Sequence, residues 1–209
     1  MSADISTIRR IASDPTAKNM TYRLTRIAAR LMLSMRYRID IKGRERLPRD
    51  NAFVLLPKHQ CWQDVPLVGL ATPILLTYVA KYELFTNPLG RYIVTSLGGI
   101  PLNRKRPIES RRTLHVIKHH LKNNRGLVVF PEGTYFPGAM GPGNHGILRF
   151  IISSVKVPLI PVGIRYSKQG IRNRVWIRFG EPIHTDDAVR PEALLTLVME
   201  KIAALSGLR

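Results

Sequence analysis

Short apolar runs recur along the chain, each four to seven residues long, and a longer mixed segment separates one run from the next. The runs cover residues 52–57, 74–80, 100–103, 126–130 and 158–164. Continuous apolar runs of this length are typical of strands that are covered on both faces of a sheet. We therefore predict a buried strand at each of these positions.

The segments between the runs have helical patterns, and two further strands are expected near the ends of the chain. Apolar and polar residues alternate at Tyr37, Ile39 and Ile41 and again at Val175, Ile177 and Phe179, which predicts half-buried outer strands. Helices are predicted over 64–71, 82–97, 107–124, 145–155 and 191–206. This alternation predicts an α/β fold with a central mixed, largely parallel sheet flanked by helices.

An N-terminal amphipathic helical segment is predicted over residues 20–38. Its apolar positions share one helix face, and Arg23, Arg26 and Arg30 gather on another. Two interpretations stay open: the apolar face packs on the core, or it lies on an anionic lipid surface. We expect residues 1–38 to form a membrane-facing segment and residues 39–209 to form one structural unit.

Composition adds a strong positive charge to this picture. The 209 residues include 33 Lys and Arg against 14 Asp and Glu, which gives a formal net charge of +19. With 44% apolar residues the chain has the makeup of a folded domain, so the charge indicates an anionic partner. A membrane surface is favoured over nucleic acid, because no nucleic-acid-binding module is recognisable. The sequence predicts neither a transmembrane helix nor a secretory signal, so we expect a cytoplasmic protein.

Cysteine and histidine usage argues against disulfides and metal. A single cysteine, Cys61, excludes an intramolecular disulfide and a cysteine-rich zinc site. His115 and His119 have the i, i+4 spacing of metal ligands, but basic residues surround them and no acidic partner completes a site. We predict no metal.

Polar clusters follow three of the predicted strands. KHQCWQD follows the run 52–57, Arg104 follows 100–103, and PEGT follows 126–130 at residues 131–134. Ligands of open α/β sheets bind beyond the carboxyl ends of the strands. If a turn separates His59 from Asp64, the carboxylate can orient the imidazole as a general base. In the alternative interpretation Asp64 only caps a helix and His59 bonds to the backbone.

Four blocks of the sequence resemble, in order, those of the glycerolipid acyltransferase family that includes 1-acylglycerol-3-phosphate acyltransferases. The first is the His-x4-Asp box from His59 to Asp64. The others are GGIPLNR (98–104), FPEGT (130–134) and VPLIPVGI (157–164), and KYELFTNPLG (81–90) is similar to the family's segment before the second block.

The resemblance implies acyl transfer from a thioester to a glycerol hydroxyl without an acyl-enzyme. His59 would take the proton of the acceptor hydroxyl and Asp64 would orient the imidazole. Arg104 would bind the acceptor phosphate, and the third block would contact the acceptor. In that block Gly133 allows close approach, Thr134 offers a hydroxyl and an amide, and Glu132 holds a glycerol hydroxyl or a basic neighbour.

The implied partners are a lysophospholipid acceptor, a donor and an anionic membrane surface. The acceptor expected is 1-acylglycerol-3-phosphate, which gives phosphatidic acid, and the donor is acyl-CoA or acyl carrier protein. No cofactor, metal or nucleic acid is implied. The resemblance thus implies an enzyme bound peripherally to the cytoplasmic face of the membrane.

Two departures from the family pattern bear on the substrate and the mechanism. Tyr135 stands where many members have an arginine, so Lys58 or Arg106 is a candidate replacement phosphate contact, and another acceptor such as lyso-ornithine lipid stays open. Cys61 replaces a frequent serine, and we expect an inert thiol rather than a nucleophile there. In a different class, the alternative is a non-catalytic basic lipid- or nucleic-acid-binding protein.

Overall fold

The strands of the protein begin and end close to the apolar runs of the sequence. The computed structural model describes residues 15–103, 107–144, 146, 149, 156–184 and 190–208. The strands are β1 (Tyr37–Lys42), β2 (Phe53–Pro57), β3 (Leu76–Lys81), β4 (Gly99–Leu102), β5 (Gly126–Val128), β6 (Leu159–Ser167) and β7 (Asn173–Phe179). The helices are α1 (Pro15–Arg36), α2 (Asp64–Ala71), α3 (Pro88–Ser96), α4 (Pro107–Lys122) and α5 (Pro191–Ser206).

These seven strands form one sheet in the order β1-β7-β6-β2-β5-β3-β4. The five strands from β6 to β4 are mutually parallel, β7 is antiparallel to β6, and β1 is parallel to β7. The predicted mixed, largely parallel sheet is thus confirmed. Because β2, β5, β3 and β4 run in the same direction, their carboxyl ends meet at one edge of the sheet.

Helices cover both faces of the sheet, which explains why the central strands are apolar throughout. In β2, Phe53 and Leu55 face the core beneath α1 and α2, whereas Val54 and Leu56 face the core beneath α4 and α5. All four side chains are fully buried. Successive side chains of a strand point to opposite faces, so a strand buried on both faces has no position for a polar residue.

One predicted helix differs from the structure, and another cannot be compared with it. The predicted helix 82–97 is interrupted: a 3-10 turn spans Tyr82–Phe85, and α3 begins only at Pro88. The side chain of Asn87 accepts a hydrogen bond from the N–H of Leu89 (2.9 Å), and a proline in the first turn is compatible with a helix start. The predicted helix 145–155 lies almost entirely outside the described residues.

The apolar side of α1 faces away from the protein, which answers a question that the sequence left open. Leu24, Leu31 and Met35 are 61%, 63% and 69% exposed, whereas Leu33 on the other side of the helix is 2% exposed and packs on the core. The Arg26 guanidinium also points inward and donates to the carbonyl of Thr72 (2.6 Å). The predicted apolar face is therefore not the face that packs against the core.

Among the described helices, including α1 with its 22 residues, none has the apolar length that a membrane crossing requires.

Candidate active site

The His-x4-Asp segment forms a turn between β2 and α2. Pro57 ends β2, and Asp64 is the first residue of α2. The turn brings His59 Nδ1 to 3.2 Å from Asp64 Oδ2. The same oxygen accepts the N–H groups of Gln60 (2.5 Å) and Cys61 (2.8 Å), so Asp64 both closes the turn and contacts the imidazole.

The second oxygen of Asp64 is held by a residue from a distant part of the chain. The hydroxyl of Tyr166, at the end of β6, donates to Asp64 Oδ1 at 2.5 Å, and the carboxylate is fully buried. Burial and the neighbouring Asp64 charge raise the pKa of Tyr166 far above its ordinary value, so the hydroxyl stays protonated and keeps donating. Tyr166 was not predicted from the sequence. The alternation of residues along β6 indicates on which side of the sheet the tyrosine lies, but not that its hydroxyl contacts Asp64.

The imidazole of His59 is packed between two aromatic rings. Phe130 stacks on it with ring centroids 3.8 Å apart, and Tyr135 contacts it edge-on at 4.5 Å. The side chain is 12% exposed, and among the described residues no group hydrogen-bonds to its Nε2. When Nδ1–H donates to Asp64, the Nε2 lone pair is available to accept a proton, as a general base requires.

Lys58 and Glu132 form a fully buried ion pair beneath His59. Lys58 Nζ lies 2.7 and 2.8 Å from the two Glu132 oxygens and also donates to the carbonyl of Phe136 (2.9 Å). Glu132 accepts in addition the N–H groups of His59 (2.8 Å) and Gly141 (2.7 Å). This carboxylate therefore ties the third block to the His-x4-Asp turn.

This pairing differs from the expectation that Lys58 and Glu132 contact substrate. The Lys58 ammonium has no exposed surface, and its hydrogen bonds go to Glu132 and to backbone carbonyls. Of the two roles expected for Glu132, the structure has the one in which it holds a basic neighbour. A buried ammonium needs such a partner, because desolvating an unpaired charge is costly.

The remaining predicted contacts fall partly outside the described residues. Gly133 has a φ of +67°, which glycine adopts readily, and its N–H donates to the carbonyl of Phe130 (3.1 Å). Gly133 and Thr134 both line the cavity beside His59. Arg104 and Arg106 lie outside the described residues.

The thiol of Cys61 is next to the His59–Asp64 pair but is in a poor environment for a nucleophile. Burial, and after it the charge of Asp64, raise the pKa of this thiol. The thiol lies 3.4 Å from the hydroxyl of Tyr166. A neutral, hydrogen-bonded thiol fits the expectation of an inert cysteine.

Over the described ranges of the chain, no group of three His, Cys, Asp or Glu side chains is arranged to hold a metal ion.

A cavity of about 370 Å³ opens beside His59 at the carboxyl ends of β3, β4 and β5. Its wall is mostly apolar and includes Tyr78, Val79, Ala80, Leu84, Val94, Leu97, Leu102 and Val129. An apolar cavity with a few polar groups at one side is the usual form of a site for a small or chain-like apolar ligand. Here the polar side contains His59, Gly133 and Thr134.

Known proteins resemble this chain in fold and in sequence. The fold resembles the crystal structure of the 1-acyl-sn-glycerophosphate acyltransferase of Thermotoga maritima, with a TM-score of 0.72 and 22% identity over 96% of this chain and 86% of that one. The 1-acyl-sn-glycerol-3-phosphate acyltransferase of Bacillus subtilis is 28% identical over 79% of this chain and 84% of its own length.

Two further relatives differ in the lysolipid that their names give. The 1-acyl-sn-glycerol-3-phosphate acyltransferase of Streptococcus pneumoniae is 30% identical over 66% of this chain. The lyso-ornithine lipid O-acyltransferase of Pseudomonas aeruginosa is 30% identical over 71% of this chain. The chain spans 53% and 56% of these two proteins. The profile of the family described as Acyltransferase matches residues 38–165, which is more than half of the chain, and so the chain belongs to the acyltransferase family.

Proposed function

We propose that the protein transfers a fatty acyl group from acyl-CoA or acyl carrier protein to the free hydroxyl of a lysophospholipid, with 1-acylglycerol-3-phosphate as the acceptor and phosphatidic acid as the product. The observation that carries this proposal is the His59–Asp64 pair, whose free Nε2 adjoins an apolar cavity. The names of the B. subtilis and S. pneumoniae relatives support this acceptor.

The reaction needs one base and no covalent intermediate on the protein. His59 Nε2 takes the proton of the acceptor hydroxyl while the oxygen attacks the thioester carbonyl. Asp64 holds Nδ1–H and stabilises the imidazolium that forms. The tetrahedral intermediate then collapses, the C–S bond breaks, and the imidazolium returns the proton to the departing thiolate. The products are the ester and the free thiol.

The remaining parts of the site bind and position the substrates. The apolar cavity holds the acyl chain, because hydrocarbon surface leaves water there. Gly133 and Thr134 contact the acceptor, and Arg104 binds its phosphate through the planar guanidinium. The Lys58–Glu132 pair acts indirectly: it holds the Gly133–Thr134 turn against His59.

We further propose that the enzyme acts at the cytoplasmic face of a membrane, bound peripherally. The helix α3, which contacts α1, also exposes apolar side chains, those of Leu89, Tyr92 and Ile93. Exposed apolar surface beside basic residues is typical of helices that lie in the bilayer interface. This arrangement brings a lipid acceptor to the protein.

The direct test is an assay of the purified protein against a panel of lysolipids, with acyl-CoA and acyl carrier protein as donors. We expect His59→Ala to lower turnover by roughly 10²–10⁴-fold, the usual contribution of a general base. His115→Ala, at an exposed histidine of α4, is the matched control and should retain wild-type turnover. Near-normal turnover of the His59 variant would refute the assignment.

A second acceptor, lyso-ornithine lipid, is favoured by Tyr135. This ring packs against His59 at the position where many family members have a phosphate-binding arginine. The similarity to the P. aeruginosa enzyme points the same way. The two acceptors are separated by Arg104→Ala, which should raise the KM for an acceptor with a free phosphate and leave the KM for lyso-ornithine lipid unchanged.

A further inference from the structure

On the side of the sheet that packs against α4 and α5, the outer strands β7 and β1 carry exposed basic side chains. The C-terminal end of α5 covers β6 on this side, since Leu205 packs against Gly163 and Gly207 lies beside Arg165. The sheet register places Arg38 and Lys42 of β1, Arg174 and Arg178 of β7 and Arg165 of β6 on the same side. We call these five residues the basic face. They lie on the α4 and α5 side of the sheet, since the alternate residues of β1 and β7 point into the core beneath α1 and α2.

The charge of the basic face is largely unbalanced. Asp40 of β1 lies on the same side of the sheet, and its carboxylate pairs with Arg174 (2.9 Å). Across the part of the chain that the structure describes, the other four cationic side chains have no carboxylate partner, and all four are exposed. A cluster of this kind attracts an anionic partner and increases its association rate.

The surface does not have the features expected of a membrane-binding or nucleic-acid-binding site. It has no large exposed apolar side chain among its described residues, whereas the exposed apolar side of α1 lies beyond the opposite face of the sheet. Its aromatic residue, Trp176, already has the guanidinium groups of Arg174 and Arg165 at 5.1 and 6.0 Å from the ring centroid. Bases of a single strand need an open ring to stack on.

The dimensions of the basic face match one helix of a protein partner. β7 and β1 each occupy about 4.8 Å of the sheet and together cover roughly 10 Å, and five residues of a strand extend about 16 Å. A helix with its side chains is about 10 Å wide. An acidic helix can therefore lie along the face and pair with its cationic side chains.

The sheet order connects this surface to the active site. His59 follows β2, the apolar cavity lies at β5, β3 and β4 on one side of it, and β6, β7 and β1 lie on the other. The backbone beside Arg165 is level with the catalytic turn, because the side chain of Gln60 donates to the carbonyl of Ile164 (2.6 Å). A ligand that crosses the carboxyl edge of the sheet can thus reach the cavity, His59 and the basic face together.

We propose that the basic face is the docking surface for an acidic protein that carries the acyl thioester, so that acyl carrier protein is the preferred donor. The carrier lies on β7 and β1 beside the C-terminal end of α5, its pantetheine arm extends to His59, and the acyl chain enters the cavity. This inference rests on the proposed acyl transfer and adds the identity of the donor.

The test compares charge reversal on the basic face with the same reversal elsewhere. The triple variant Arg38→Glu, Lys42→Glu and Arg178→Glu changes three exposed side chains of the face. The matched control reverses Arg49, Lys122 and Arg190, which are exposed outside the face. Full-length proteins are used, and circular dichroism with thermal unfolding verifies the fold. Replacement of the three face residues by Gln serves as the milder variant.

Two measurements are made on each protein: binding of unacylated acyl carrier protein, and steady-state transfer from acyl carrier protein and from acyl-CoA. We expect the face variant to bind the carrier about tenfold more weakly and to show the same rise in KM for the acylated carrier, with kcat and acyl-CoA turnover unchanged. The Gln variant should show a smaller rise, and the control should match the wild type.

Other outcomes overturn the proposal. Carrier affinity that is equal in the wild type and the face variant refutes docking, and so does loss of binding only to anionic vesicles or to a single-stranded oligonucleotide. An equal loss with both donors also refutes it. Carrier binding that depends on the face, in a protein that transfers no acyl group from either donor, would refute the proposed function while leaving the docking surface intact.

Discussion

The Asp64 carboxylate shows how much of the candidate site depends on single side chains. It accepts hydrogen bonds from two backbone N–H groups of its own turn and from Tyr166, and it lies beside Nδ1 of His59. The backbone donors come from Gln60 and Cys61, so the turn itself orients one oxygen. Among the described residues, Tyr166 alone holds the other oxygen from outside the turn, which makes its hydroxyl a positioning group for the base.

We predict that Tyr166→Phe lowers kcat by roughly tenfold to a hundredfold while KM changes little. The variant loses a hydrogen bond to a charged group, of about 1.5–3 kcal/mol, and this bond matters most when the imidazolium forms. Steady-state kinetics measures the split between kcat and KM. Tyr92→Phe, at an exposed tyrosine of α3, is the control. A change in KM alone would contradict the positioning role.

A second prediction concerns the thiol of Cys61. Because burial and Asp64 raise its pKa, a smaller fraction of the thiol is ionised at pH 8 than in a free cysteine. We therefore expect it to react more slowly with a disulfide reagent at pH 8 than free cysteine does. The rate should still increase as the pH rises further. Cys61→Ser should keep turnover within about threefold, and an inactive serine variant would reopen the question of a nucleophilic thiol.

At the scale of the elements, the loop after β5 is tied to the turn after β2 by buried polar contacts. Lys58 and Glu132 form the central pair. The N–H of Phe136 donates to the carbonyl of His59 (2.9 Å), and the N–H of Gly138 donates to the side chain of Gln60 (2.9 Å). These bonds make the two segments one unit, so the third block and the general base keep a common position.

Breaking the buried pair should therefore cost stability as well as activity. We predict that Lys58→Met lowers the free energy of unfolding by about 3–5 kcal/mol, because it leaves the Glu132 carboxylate buried without its cation. Urea unfolding measures the change. The double variant Lys58→Met with Glu132→Gln should recover part of the loss, since the amide oxygen still accepts the N–H groups. A double variant less stable than the single one would contradict this account.

The two sides of α1 allow a similar comparison. We predict that replacing Leu24, Leu31 and Met35 by serine weakens binding to anionic vesicles at least tenfold and leaves the melting temperature almost unchanged, since these side chains are exposed. Leu33→Ala on the buried side is the control, and it should lower the stability by about 2–3 kcal/mol without a direct effect on vesicle binding. Cosedimentation and thermal unfolding measure the two effects. A stability loss in the serine variant would contradict the assignment of the faces.

At the scale of the whole molecule, three functional regions lie side by side along the sheet. The apolar cavity lies at β5, β3 and β4, the general base follows β2, and the basic face covers β6, β7 and β1. The exposed apolar side of α1 lies beyond one face of the sheet and the basic face lies on the other. The formal charge of +19 is thus not one uniform field, since part of it forms a surface separate from the proposed lipid contact.

Much of the fold and the central pair of the site could be predicted from the sequence, because both depend on local patterns. Strand and helix alternation follows from apolar runs that each element carries within itself. His59 and Asp64 are five residues apart, so one turn brings them together whatever the rest of the chain does. The boundary at Asn87 was missed, although Asn followed by Pro is a local signal for a helix start.

Only the tertiary structure decided the contacts between distant segments. Tyr166 meets Asp64 across 102 residues, and Lys58 meets Glu132 across 74. These contacts depend on strand order and register, which a single strand's apolar pattern does not specify. For the same reason the pattern of α1 predicted an apolar face but not whether that face packs on the core or points away from it. The basic face likewise depends on tertiary structure, since it forms only when β1 pairs with β7. Local periodicity determines which face of an element is apolar, whereas packing determines what each face contacts.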